Sequence, residues 1–216
     1  MYLKAKIELP NNGWPHPDEL PKYHAEDITQ YCDEVLLPTL CPLEKYLTDA
    51  YYGNFQDPEP TCEELNSKQL LQSETAKGLF LALGSVWERQ LRNYLFGYAL
   101  KLDDVELRKL ALSNNRPAVL QKIEQFTGVT VEPENSRLAE YSLVANVCRH
   151  GMGKSLTELY ENYRENWWYS NHNFSDDSPM LWNMQIRADD IKNFALEIKQ
   201  FWVRDCRTIA DNENGH

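Results

Sequence analysis

Between Gln72 and Leu100 the chain sets Leu79, Phe80, Leu83, Val86, Trp87, Leu91, Tyr94, Leu95 and Tyr98 at three- and four-residue intervals. That spacing gathers side chains onto one face of an α-helix. Such a helix spans roughly 43 Å at 1.5 Å per residue, so the rest of the fold has to pack along it. The same periodicity predicts helical partners. From His24 to about Tyr52, Ile28, Cys32, Val35 and Leu36 share a face, with a break or restart expected at Pro38 and Pro42. Two shorter helices are expected near Asp104 to Leu112 and Pro117 to Phe126, the second with Asn115 as cap, Pro117 in its first turn and Gly128 as its stop.

A further helix is expected from about Ser136 to His150, stopping at Gly151 in a left-handed conformation. Ser155 and Glu158 have the Ser-x-x-Glu spacing of a capping box that opens the next one. The last helix carries Ile191, Phe194, Ala195, Ile198, Phe201 and Trp202 as one stripe behind Asp189 and Asp190. There is no internal repeat, no heptad run of coiled-coil length and no alternation of strands with helices. The expected fold is mainly α, a multi-helix bundle with a short N-terminal strand and irregular arm. The strand is read from the alternation of Tyr2, Leu3, Ala5 and Ile7, and the arm from the Pro-, Asn- and Gly-rich residues up to 22.

With 216 residues, 42% hydrophobic and 12% aromatic, one globular domain with a real core is expected. The mean hydropathy of -0.61 calls for a polar surface. No apolar run is long enough for a bilayer, and the first residues lack a signal-peptide pattern, so no membrane and a cytoplasmic location are expected. Five cysteines without Cys-x-x-Cys spacing read as free thiols. A net charge of -11 argues against a large non-specific nucleic-acid surface, while leaving room for a small basic pocket or a basic partner protein.

The stretch "VANVCRHGMGKSLTEL", Val144 to Leu159, ends in what looks like a phosphate-cradling loop. A Walker A loop needs glycine where Cys148 stands, and it has to leave a buried parallel strand. Neither condition is met, so Gly151 and Gly153 read as helix-ending and turn residues and Ser155 as a cap. As a helix, the segment puts Ser142, Asn146, Arg149 and His150 within one arc, with Leu138, Tyr141, Val144, Ala145 and Cys148 opposite.

Those polar groups suit metal-independent cleavage of RNA. A neutral imidazole can take the proton of a ribose 2′-hydroxyl, its charged form can protonate the leaving oxygen, and a nearby guanidinium can stabilise charge developing on phosphorus. His150 is the candidate acid/base, Asn146 its orienting or phosphate-binding partner, and Arg149 the charge stabiliser. Arg92, Lys154 and Ser142 are candidate substrate contacts. No metal and no cofactor are called for. The bland alternatives are a histidine capping the last carbonyls of its helix, solvated Arg149 and Lys154, and an intrahelical Glu88–Arg92 pair. The ring-rich segment with Trp167, Trp168, Tyr169, His172 and Phe174 offers either a stacking platform for bases or an anchor onto the body.

The segment "LVANVCRHGMGKS" resembles the signature helix of HEPN domains, all-α modules of bacterial toxins and phage-defence ribonucleases whose motif is Arg, a polar residue, three others and His. Asn146 and His150 match the polar residue and the histidine, while Ala145 stands in the arginine's place. An earlier long helix with "SVWERQLRNYL" and a final "FALEIKQFW" are similar to what HEPN-like proteins show, so the likeness covers roughly Thr75 to Arg204 in arrangement. The resemblance implies a HEPN-like helical domain over 61–210, with residues 1–60 as an arm and kinked helical region packed on it and 211–216 as a frayed tail. It further implies a homodimer in which two motif helices pair, and products carrying a cyclic phosphate. The expected function is a metal-independent endoribonuclease in a toxin or anti-phage system. The alternative, for which Ala145 and the acidic surface argue, is a catalytically inactive HEPN-like binding or regulatory module that contacts a partner protein.

Overall fold

The computed structural model describes residues 16–54, 59–134, 136–151, 153–163 and 184–205. They are mainly helical, with no strand among them, and one continuous apolar core joins every helix. The strand expected at Tyr2 to Ile7 and the ring-rich segment from Trp167 to Phe174 lie outside the described residues.

The central helix is α3 (Cys62–Lys101), forty residues long. It begins ten residues before the start expected from its apolar stripe. Thr61 accepts the Glu64 backbone N–H, and the Glu64 carboxylate reaches back to the Thr61 N–H at 2.8 Å. This capping box was readable as Thr-x-x-Glu; the turns that follow it are polar and give no periodic signal. Around α3 pack α1 (Leu20–Tyr31), α2 (Leu37–Tyr51), α4 (Val105–Ala111), α5 (Arg116–Thr127), α6 (Arg137–His150) and α8 (Ala188–Gln200), while α7 (Lys154–Tyr163) rests on α6. Asp104, Asn115 and Ser136 each cap the following helix through the side chain, and Gly128 closes α5 at φ 66°. Gly151 ends α6 at φ 70° but with ψ -137°, outside the left-handed helical region that was expected. Ser155 is not a cap either, because Gly153 holds that position and its carbonyl accepts from Leu156 and Thr157.

The break expected at Pro38 and Pro42 does not occur. Cys32–Leu36 form a π-helical turn that joins α1 to α2 into one rod, with the Leu37 N–H reaching the Cys32 carbonyl. A proline at 38 has no N–H for the Glu34 carbonyl, and the wider turn accommodates that loss. It also corrects a drift. Ile28, Cys32, Leu36 and Leu40 are all buried at four-residue steps, each about 40° too far for an α-helix. A turn with more residues holds them on one side, and it leaves Val35, expected on that face, 45% exposed.

The core is aromatic. Phe80 stacks on Phe194 at 5.0 Å, and Trp87 meets Phe201 and Trp202 edge-on at 5.2 and 5.6 Å. A second π-helical turn, Phe201–Asp205, follows α8, and both of its leading rings are buried. Buried Gln90 ties three elements together, donating to the His24 carbonyl of α1 at 3.0 Å and accepting the Trp202 indole N–H at 2.9 Å.

Helices α3 and α6 come into close contact at Gly84, where an added Cβ would lie 2.6 Å from the Ala145 Cβ. Two backbones meet there with one methyl group between them. Replacing Gly84 with alanine forces the helices apart, and Gly84→Ala is expected to lower stability by about 1–3 kcal/mol despite its better helix propensity, read as a reduced urea midpoint with unchanged slope.

Candidate functional site

On the solvent side of the α3–α6 contact, α3 turns out a polar arc of Ser85, Glu88, Arg89, Arg92 and Asn93, spaced by three and four residues. These residues, Phe96, the turn Ala111–Asn114 and Arg149 line an open groove of about 630 Å³. Its lining carries three guanidinium groups and one carboxylate, a local excess of two positive charges on a chain of net charge -11.

Glu88 organises the cations. It accepts from Arg92 Nη2 at 2.8 Å and faces Arg149 Nη1 at 3.6 Å, tying α3 to the end of α6. Partial burial pushes its pKa upward, but the Arg92 hydrogen bond and the charges of Arg92, Arg149 and Arg116 outweigh this and hold the carboxyl below its ordinary value. Arg92 also donates to the carbonyls of Ala111 and Ser113, binding the end of α4 where helix carbonyls lack partners. It is therefore partly a clamp. Arg149 adds a bond from Nη2 to Ser85 Oγ at 3.3 Å.

The arc expected on α6 is divided by the tertiary structure. Ser142 is 8% exposed, and its hydroxyl donates to Glu132 at 2.6 Å. Glu132 also takes the Trp87 indole N–H at 3.1 Å and an ion pair from Arg116, making a partly buried polar junction of α3, α5 and α6. Asn146 is half-buried, whereas Arg149 and His150 are exposed. Of the expected site residues, the groove brings together Arg92 and Arg149. Asn146, His150 and Lys154 are not among its lining residues; Lys154 is exposed at the start of α7, beside Glu158 at 3.1 Å. Ala145, at the position of the HEPN arginine, is 5% exposed against Gly84, and nothing longer fits between the helices.

The apolar stripe of α3 gives no sign of Arg89, Asn93 and Ser85 as site residues. The signal was their own three- and four-residue spacing on the opposite face. Cys148 is half-buried, and burial pushes its thiol up to about 12, which keeps it protonated and unreactive. Among the described residues no three His, Cys, Asp or Glu side chains gather as a metal site, and no helix is long and apolar enough to cross a membrane.

Glu88→Gln removes a carboxylate whose pKa is lowered by folding, so the stability it contributes is present above the ordinary carboxylate range and lost as pH falls through its folded pKa. The difference in melting temperature between Glu88→Gln and the native chain is therefore expected to be full at pH 7 and to shrink on acidification below that range. No family model matches the chain, and no curated protein or solved structure is similar to it at a significant level.

Proposed function

We propose that this chain acts on RNA, with the groove between α3, α6 and the α4–α5 turn receiving phosphate and His150 at the end of α6 cutting the strand without a metal. The observation that carries this reading is the convergence of Arg89, Arg92 and Arg149 on one open groove of an otherwise acidic chain, with the exposed His150 following Arg149 in sequence. In this reading His150 removes the 2′-hydroxyl proton, the 2′-oxygen attacks phosphorus, and the imidazolium returns a proton to the departing 5′-oxygen, leaving a cyclic phosphate. Arg149, held by Glu88 and Ser85, stabilises the charge on phosphorus. Asn146, one turn before His150, orients the ring. Lys154 and Arg92 attract the flanking phosphates, and Ser142 supports the site from below through Glu132. A second copy pairing along α6 would bring two histidines to one cleft, the homodimer that the HEPN resemblance implies, and the resemblance also supplies the toxin or phage-defence setting.

One observation favours a second reading, a catalytically silent HEPN-like module that binds a partner. Ala145 is locked against Gly84, so the position of the family's arginine is closed by packing.

Digestion of total RNA with EDTA present separates the two. Cleavage is expected to leave 2′,3′-cyclic phosphate ends, and His150→Ala to lose about 100-fold or more in rate at an unchanged melting temperature. Intact RNA after incubation with folded native protein would leave only the binding module.

A further inference from the structure

A second opening adjoins the groove along α3. It encloses about 460 Å³, within the range of small-molecule sites, and is walled by His24, Asp27 and Tyr31 of α1 and by Arg89, Gln90 and Asn93 of α3. Ser85, Arg89 and Asn93 belong to both openings, so the two adjoin along one ridge of α3 with Arg89 on the boundary between them. Arg89 is exposed and makes no hydrogen bond or ion pair with another described side chain, in contrast to Arg92 and Arg149, which Glu88 holds.

The halves differ in charge. The first carries the cationic excess, whereas the second balances Arg89 with Asp27, and His24 is neutral there because burial and the charge of Arg89 push its pKa down to about 4. One end thus suits an anion and the other an uncharged group rich in hydrogen-bonding positions. Asp27, acceptor-only when ionised, matches adjacent N–H donors, and Tyr31 adds an aromatic residue to the wall.

We propose that these adjoining openings bind one nucleotide unit, its phosphate on Arg89 in the first groove and its base in the second against Asp27 and Tyr31, with guanine favoured because its N1–H and 2-amino group present paired donors to one carboxylate. For its ligand class the site rests on the RNA reading above and it shares Arg89 with the phosphate groove of that reading, but Arg89, Asp27 and Tyr31 include none of the groups proposed for cleavage. The same chemistry is offered by a strand and by free GMP.

The test uses the full chain carrying His150→Ala, so that no probe is consumed, with fluorescein-labelled UUUUGUUU and UUUUUUUU and with unlabelled GMP. Arg89→Gln is expected to weaken both oligonucleotides about tenfold and to reduce the slope of log affinity against log salt by about 0.7. Asp27→Asn is expected to erase the preference for the guanine-containing strand while leaving the all-uridine affinity in place. Both substitutions fall at exposed residues and are expected to leave the melting temperature unchanged. GMP binding that depends on Arg89 and Asp27 supports the site with a free nucleotide as ligand; dependence seen only with oligonucleotides supports it as part of an RNA path. Oligonucleotide binding indifferent to both substitutions overturns the site, and if the native chain still cleaves RNA the ribonuclease reading survives that loss. Arg89- and Asp27-dependent binding without cleavage by the native chain keeps the site and removes the ribonuclease. Binding of no probe by the folded protein overturns the site.

Discussion

The contact of Gly84 with Ala145 sets the geometry on which the remaining structure depends. Helices that meet through one methyl group run closer together than helices separated by leucines, and that closeness decides what surrounds the crossing. It presses Phe80 and Tyr141 into the same aromatic cluster with Phe194. It also places Arg149, one turn beyond Ala145, against Glu88, one turn beyond Gly84. The same contact closes the position where the HEPN motif has an arginine. Any cation assisting at this face comes from its rim, and the rim is supplied by α3 as much as by α6.

Two polar junctions, one buried and one partly buried, fix the packing that this contact begins. Gln90 satisfies a carbonyl of α1 and the Trp202 indole, while Glu132 gathers Trp87, Ser142 and Arg116. Apolar side chains can pack in several registers, whereas a buried amide or carboxylate left without its partners costs more than a poor hydrophobic contact. Each junction therefore selects one arrangement of three elements. Ser142 belongs to this framework, although on a helical wheel it shares an arc with His150.

Electrostatics divide the molecule in a similar way. The net charge of -11 repels a nucleic acid at long range, so an anion would be held by short-range, directional contacts. The arginines on α3 and α6 supply these where Glu88 orients two guanidiniums and leaves Arg89 unengaged by it. An acidic surface around a small cationic groove favours a local, chemically specific ligand over a long polyanion bound by charge alone.

The apolar spacing of the chain determined that it would be helical, that α3 would be its axis and that Asn115, Ser136, Gly128 and Gly151 would punctuate it, because these choices are made within a few residues of the backbone. The cap formed by Thr61 and Glu64 is equally local, but no apolar stripe follows it to mark the helix that it starts. The sequence also placed Arg149 and His150 on one side of α6. What only tertiary structure decided was which polar residues of an arc reach water. Ser142 is turned inward by Glu132, Asn146 is half covered, and Arg89 and Asn93, 60 and 56 residues away in sequence, are brought into one groove with Arg149. Helical periodicity fixes direction around an axis, but burial depends on the neighbouring helix. The distance of that neighbour is set here by a glycine and an alanine whose partnership no spacing within either helix reveals.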